Sequence, residues 1–367
     1  MKGHIRERSP GHWAIVIDAQ DAQGQRKRRW HSFQGTKREA QVQCAKLIAD
    51  AGNVTVDPNR ITVGDYLDRF LTDWVASHTT ARSAERYAGS LRHVRRVLGS
   101  KKLQALQPLD LAALYADMAK AGLGARTVKH VHVVFHRALE QAKLWGLLKD
   151  NPAAIARPPA PGKAKIEILQ PKQAKALLER LHGGPLYLLA SLGLATGMRR
   201  NEMLGLRWRD VDLEAARATV EQSLEQTSAH GIRTKAPKTE AGLRTISLPA
   251  HICEELRAHR VAQAKQRLAL GMGKAPDDST VLADLEGKPL SPNAVTKMWK
   301  RALTGVTLHS LRHTHASMLI AAGVDILTVS RRLGHASPSI TLDVYGHLVH
   351  GADDRAAKVM DAAFGGR

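Results

Sequence analysis

Cysteine is nearly absent from this chain, with Cys44 and Cys253 the two present among 367 residues. Two cysteines, neither with a partner at metal-finger spacing, exclude a disulfide framework and a zinc finger, and both read as plain buried or partly buried thiols. Hydrophobic residues make up 43% of the chain, enough for a sizeable core. No apolar run, however, approaches the ~18 residues that a membrane span needs. Residues 1–10 lack the apolar centre of a secretory signal, so the expectation is a cytoplasmic, nucleoid-associated protein. Two further signatures are missing: a G-x-x-x-x-G-K-[ST] phosphate loop and a carboxylate cluster of the two-metal kind. The reading therefore includes no nucleotide, cofactor or metal. Acidic residues are also scarce, 34 against 55 Lys and Arg, and the formal charge of +21 points to an anionic partner, foremost nucleic acid.

A length of 367 residues exceeds what one core usually organises, so two or three domains are expected. Residues 13–17 (WAIVI) read as a short strand, 21–24 (DAQG) as a turn, and 25–33 (QRKRRWHSF) as a second strand. A helix follows from Lys37 to about Ala51, capped by Thr36 and stopped by Gly52. The run Arg26, Lys27, Arg28 and Arg29 beside Trp30 reads as a DNA-facing strand, with a solvated charge run as the alternative. Residues 53–60, containing Asp57-Pro58, form a linker.

From residue 61 to 151 the pattern is helical, with Val63, Tyr66, Leu67, Phe70, Leu71 and Trp74 on one stripe. Residues 90–98, 109–121 and 127–148 are also amphipathic, and Arg92, Arg95, Arg96 and Lys129 are candidate DNA contacts on their polar faces. A four-helix module with a basic face fits; a helical protein-interaction domain has the same periodicity. Residues 152–161 are proline-rich and extended. The remainder, from Leu169, reads as one larger, mostly helical domain with a small sheet between Ala218 and Leu248. The fold class is thus multidomain and mainly α with small antiparallel sheets.

Four segments of this last part carry chemistry. In ATGMRRNE, Gly197 breaks a helix begun near Leu186, and Arg199 and Glu202 then share a face of the next helix. Taken alone, that pair is an ordinary surface ion pair. In KAPKTEAGLRTISL, residues 244–248 alternate as a strand and 238–242 read as a hairpin tip offering Lys238, with Lys235 nearby. In HSLRHTHAS, His309 and Arg312 share a helix face, while Leu308, Leu311, His315, Met318 and Leu319 form the buried stripe, which makes His313 and His315 structural. The histidine density raises zinc, but no acidic or cysteine ligand set accompanies it and Arg312 would repel the ion. In LGHASPSITLDVYGH, Ser337-Pro338 starts a helix that carries Tyr345, by itself a half-buried packing aromatic.

Jointly these residues meet the demands of phosphoryl transfer to a protein oxygen. Arg199 and Arg312 can fork onto the non-bridging oxygens of a phosphodiester, and His309 and His335 add donors to that cradle. Tyr345, with an ordinary pKa of about 10, is a poor nucleophile until its deprotonation is assisted. A leaving 5′-oxygen needs a proton, which Lys238 can supply as general acid.

The set Arg199, Lys238, His309 with Arg312, His335 and Tyr345 resembles the signature of the tyrosine recombinase (phage integrase) family, and the resemblance covers residues 166–350 closely. It implies that Glu202 fills the family's acidic position. It also implies an arm-type DNA-binding domain at 1–56 with a three-stranded sheet plus helix, a helical core-site DNA-binding domain at 61–152 and a catalytic domain at 165–367. One departure is that Ala241-Gly242 stands where a serine is common. The implied reaction is integration, with excision by the same chemistry, through a 3′-phosphotyrosyl intermediate on double-stranded attachment sites of core and arm type. Four protomers would act on two duplexes, with residues 347–367 docking on a neighbour or packing on their own domain. The resemblance leaves a DNA-bending host factor and an excisionase open as accessory partners. A type IB-like topoisomerase and a DNA-binding protein without catalysis are the rival readings.

Overall fold

The computed structural model describes residues 2–20, 26–52, 61–162, 167–237, 239–284, 286–346 and 352–364. The expected turn at 21–24, the linker at 53–60 and Lys238 lie outside them. The chain divides into two compact units, Met1–Lys163 and Ala164–Arg367. Among the described residues no helix is long and apolar enough to cross a membrane.

In the first unit, β1 (Lys2–Ser9), β2 (His12–Gln20) and β3 (Arg26–Gln34) form an antiparallel sheet in that order. Ile5 pairs with Ile15, and Trp13 with Phe33. The sequence pattern had no signal for β1: Ile5 is its one aliphatic residue, so charged neighbours hide the alternation. Helix α1 (Lys37–Gly52) covers the sheet, burying Ile15 and Cys44 with Ile5, Phe33 and Leu47 packed around them. Its start follows from Thr36, whose backbone N–H and hydroxyl both donate to Glu39. On β3, Trp30 is 57% exposed and lies under the Arg8 guanidinium; Arg28 is exposed, and the side chains of Arg26, Lys27 and Arg29 lie outside the described residues.

The helical part of this unit comprises α2 (Val63–Arg69), a π-helical turn (Phe70–Val75), α3 (Ala76–His78), α4 (Ala81–Leu98), α5 (Pro108–Lys120) and α6 (Ala125–Leu144). Their shared core includes Tyr66, Phe70, Leu91, Leu111 and Phe135. The expected stripe from Val63 to Trp74 therefore runs through the π turn, where Phe70 and Trp74 stack with centroids 5.2 Å apart. Of the four basic residues singled out here, Arg95 pairs with Asp68 and Arg96 with Asp117, whereas Arg92 and Lys129 are exposed.

The second unit runs through α7 (Pro171–Leu181), α8 (Tyr187–Thr196), α9 (Arg200–Gly205), β4 (Val211–Asp212), β5 (Arg217–Val220), β6 (Ser223–Thr227), β7 (Gly231–Lys235) and β8 (Arg244–Ser247). It continues with α10 (Ala250–Ala269), α11 (Pro292–Ala302), α12 (Leu308–Ala321), α13 (Ile326–Leu333), α14 (Pro338–Tyr345) and α15 (Ala352–Phe364). Strands β4, β5 and β8 make one antiparallel sheet, and β6 and β7 a separate hairpin. The hairpin tip expected at 238–242 is therefore misplaced: the turn of the β6–β7 hairpin falls between Thr227 and Gly231, and the segment after β7 crosses to β8 of the other sheet through a 3-10 turn at Glu240–Gly242. Polar turn residues signal a chain reversal without saying which strands flank it. A second correction concerns Met318, expected in the buried stripe of α12 but 41% exposed.

Helix α8 is apolar on nearly every side and packs against α12, as a central helix must. It stops at Gly197, whose φ of 66° is left-handed. A Cβ there would sit 2.6 Å from the His315 ring and 2.8 Å from Leu333. His315 is itself fully committed: Nδ1 donates to the Leu194 carbonyl at 2.8 Å, and Nε2 accepts from Arg332 Nε at 3.1 Å. Burial, reinforced by Arg332, pushes its pKa down to about 4. A proton on Nε2 would face a guanidinium.

Two outcomes follow for stability. Gly197→Ala, through the left-handed backbone and the overlap of its Cβ with His315 and Leu333, should lower unfolding free energy by at least about 1–3 kcal/mol, read from urea denaturation of the second unit's tryptophans. Because the unfolded chain binds a proton on His315 at about pH 6.5 and the folded chain holds it off until about 4, stability is fully present above pH 6.5 and is lost as pH falls toward 4. Denaturation midpoints that stay level across that window would contradict this account.

Candidate active site

The site is built where α8, α9, α12, α13, α14 and β8 converge. Arg199 occupies the N-cap of α9, freed from helical geometry by the break at Gly197. Its Nη1 donates to Glu202 Oε1 at 2.6 Å and its Nη2 to the Gly334 carbonyl at 3.2 Å, yet the side chain stays 42% exposed. Arg312, on α12, is buried and held by two carbonyls, Nη1 to Gly197 at 2.8 Å and Nη2 to Leu333 at 2.7 Å. Burial and the Arg199 charge push it down to about 9, still cationic at neutral pH. The two arginines are thus fixed on neighbouring carbonyls of one turn.

That turn closes α13 with Gly334 at φ 67°, where a Cβ would meet the Ala241 carbonyl and Arg244 Nη1, each at 2.8 Å. The chain then presents His335, whose Nδ1 bonds the buried Thr341 hydroxyl at 2.8 Å. Burial and the arginines Arg312, Arg199 and Arg244 push His335 down to about 4, and burial with Arg312 and Arg199 also lowers His309. Both imidazoles are therefore neutral donors at pH 7. Ser337 caps α14 and Pro338 occupies its first turn, as expected.

Tyr345 ends α14 and is only 2% exposed, more deeply buried than the sequence suggested. Its hydroxyl lies 2.6 Å from His313 Nδ1, and His313 in turn meets His309 edge to face at 4.6 Å. Burial raises the phenol to about 12, with Arg312 pulling the other way. An open cavity of about 390 Å³ lies alongside, with Arg199, His309, Trp299 and Lys300 on its wall.

Arg199 and Glu202 are thus paired, Arg312 and Arg199 sit on one turn, Tyr345 reaches His309 through His313, and His335 lies within the field of both arginines, while Lys238 lies outside the described residues. Lys235, the alternative lysine, is engaged by Glu225 at 3.5 Å. Three partners escaped the sequence reading. Arg244 is buried and donates to Glu202 Oε2 at 2.8 Å and to the Arg332 carbonyl at 2.7 Å. Burial raises the Glu202 pKa, but Arg244 and then Arg199 outweigh it and hold the carboxyl below its ordinary value. The signal was available, since Arg244, Ile246 and Leu248 share the inward face of an alternating strand. His313 stands four residues after His309, hence on its face. Thr341 had no signal beyond its place on α14.

Among the described residues no group of three or more His, Cys, Asp or Glu is arranged to hold a metal ion. What the site offers is a strongly cationic, partly open cradle with a phenol at its inner edge.

Comparison with known proteins agrees. The sequence model of the phage integrase family matches residues 167–350. A XerC-like tyrosine recombinase of Caldanaerobacter subterraneus subsp. tengcongensis is 26% identical over 360 residues, covering 90% of each chain. An integrase of Streptomyces ambofaciens is 29% identical over 350 residues, covering 90% of this chain and 87% of that one. Among solved structures, the Tn1549 transposon integrase in complex with transposon right end DNA aligns with a TM-score of 0.67 at 20% identity, covering 83% of this chain and 99% of that chain. A lambda integrase dimer bound to a COC′ core site aligns at 0.59 and 18% identity over 93% and 94% of the two chains. On the strength of that matched stretch, which contains every motif residue of the cradle, the chain belongs to the phage integrase family of tyrosine site-specific recombinases.

Proposed function

We propose that this recombinase integrates a phage or other mobile element by attack of Tyr345 on a scissile phosphodiester, held between Arg199 and Arg312. The observation that carries the reading is the seating of both guanidiniums on adjacent carbonyls, Leu333 and Gly334, eleven or twelve residues before the phenol. Carbonyl acceptors orient a guanidinium without cancelling its charge, so donors remain for a phosphate. Glu202 orients Arg199; His309 and His335, neutral, donate to the non-bridging oxygens. Attack forms the Tyr345 Oη–phosphorus bond and breaks the bond to the 5′-oxygen, which takes a proton from Lys238. The 5′-hydroxyl of a partner strand then reverses these steps, so the bond is conserved without a nucleotide cofactor.

The same reading makes residues 1–56 an arm-site domain, 61–152 a core-site domain and 165–367 the catalytic domain. Support for the first is a three-stranded sheet with Arg28 and Trp30 exposed on β3; for the second, a helical bundle with Arg92 and Lys129 exposed. A lambda integrase tetramer has been solved bound to a Holliday junction and aligns with this chain at a TM-score of 0.57. Four protomers on two attachment-site duplexes is the assembly proposed here, in the cytoplasm, with a DNA-bending host factor and an excisionase as accessory partners. Met360 and Phe364 on α15, the latter 78% exposed, suit docking on a neighbour.

The decisive experiment supplies the element's attachment sites, recovered from sequenced integration junctions, as nicked duplexes. The wild-type protein should form a covalent adduct that survives denaturing electrophoresis, and Tyr345→Phe should form none while binding the duplex nearly as tightly. Binding lost in parallel with the adduct would refute Tyr345 as nucleophile, and relaxation of supercoils without exchange would favour a topoisomerase. For the general acid, Lys238→Ala should slow cleavage by about 100-fold, more than Lys235→Ala, and a 5′-phosphorothiolate leaving group should restore it. Absence of rescue would remove Lys238 from that role.

A further inference from the structure

Attack by Tyr345 leaves one proton unassigned. Lys238 supplies the 5′-oxygen, and the arginines are donors throughout, so neither takes the proton that the phenol must lose. Among the described residues the hydrogen-bond partner of that hydroxyl is His313 Nδ1, at 2.6 Å. We propose that His313 receives the Tyr345 proton as the phosphodiester is attacked and returns it when the strand is rejoined. The proposal rests on the reading of Tyr345 as nucleophile and adds a proton path that this reading lacks.

The geometry favours transfer in this direction. His313 lies on α12 and Tyr345 on α14, two elements packed together, so the pair is set by the fold rather than by neighbouring positions in sequence. The groups facing His313 are His309 and Arg312 from its own helix and Tyr345 from α14. None is a carboxylate, and burial with His309 and Arg312 keeps the imidazole unprotonated, down to about 4. A neutral ring with Nε2–H and a free lone pair on Nδ1 accepts the O–H of Tyr345.

The same surroundings explain latency. With no anion in the cradle, a proton on His313 would add a cation beside Arg312, so Tyr345 stays protonated and buried. A phosphodiester entering between Arg199 and Arg312 offsets that charge and makes the imidazole a better base where and when attack occurs. In the balanced step, the Oη–phosphorus bond forms, the phosphorus–O5′ bond breaks, the Oη proton passes to His313 Nδ1, and Lys238 protonates O5′. Rejoining reverses each transfer, with His313 protonating the departing phenolate.

The test uses the full chain on the nicked attachment-site duplex, with His313→Asn, which can still accept a hydrogen bond but cannot carry the proton. Cleavage should fall about 100-fold near pH 7 and recover as pH rises, as solvent hydroxide takes over. Replacing Tyr345 in the His313→Asn protein by a ring-fluorinated tyrosine, whose phenol is more acidic, should regain roughly tenfold, against little change in the wild-type background. Comparing tyrosine with fluorotyrosine inside one variant cancels any loss of folded protein. A rate for His313→Asn equal to wild type, or a loss unmoved by both pH and fluorination, would overturn the proposal. An absent wild-type adduct would instead overturn the nucleophile assignment itself.

Discussion

The site depends on an imbalance of buried charge. Around the turn that ends α13, the guanidiniums of Arg199 and Arg244 share one carboxylate, that of Glu202, and those of Arg199, Arg244, Arg312 and Arg332 are otherwise held by backbone carbonyls and, at Arg332, by the His315 ring. Gathering like charges in a partly dry interior is unfavourable, and the depressed pKa values of Arg312 and Arg332 register that cost. Carbonyl dipoles reduce it without neutralising it. The fold therefore stores an unmet demand for an anion, which the phosphodiester of the proposed reaction would meet. Histidines in the same field are kept neutral for the same reason, which is why they can donate to phosphate or accept from a phenol without adding to the repulsion.

Backbone conformation is what makes this arrangement possible. Gly197 and Gly334 both adopt left-handed φ angles, one ending α8 and the other ending α13. Each aims a carbonyl at an arginine of the cradle, Gly197 at Arg312 and Gly334 at Arg199. Neither position has room for a Cβ. The two glycines thus act in concert: they terminate helices so that the exposed ends become the sockets of the cationic cradle.

Much of this is legible in the sequence, for physical reasons that differ by element. The Gly197 stop, the Ser337-Pro338 start and the Arg199–Glu202 pair are local, written within four residues, and the structure follows them. The motif residues gave the family because their types, order and spacing recur together. What could not be read were contacts across the chain. Nothing local ties Arg244 to Glu202, 42 positions away, or His313 to Tyr345, 32 away. The misplaced hairpin tip has the same origin, since a polar turn does not name its strands. Strand β1 escaped because its charged residues mask a single inward isoleucine.

His313 shows how a structural assignment and a proposed catalytic one can share a residue. By periodicity it lies next to the buried stripe of α12, and in the fold it is indeed half-buried. Yet burial, with His309 and Arg312 beside it, keeps this imidazole unprotonated well below its ordinary range, and its Nδ1, 2.6 Å from the phenol, is the acceptor that the proposed proton transfer requires. In water a tyrosine hydroxyl and a histidine would exchange protons with solvent and gain nothing from each other. Inside this cradle the phenol is buried and the imidazole partly so, and in the proposed step the missing counter-charge is the substrate itself. On the proposed reading Tyr345 is restrained by electrostatics as much as by packing, and the anion it attacks is also what eases the loss of its proton.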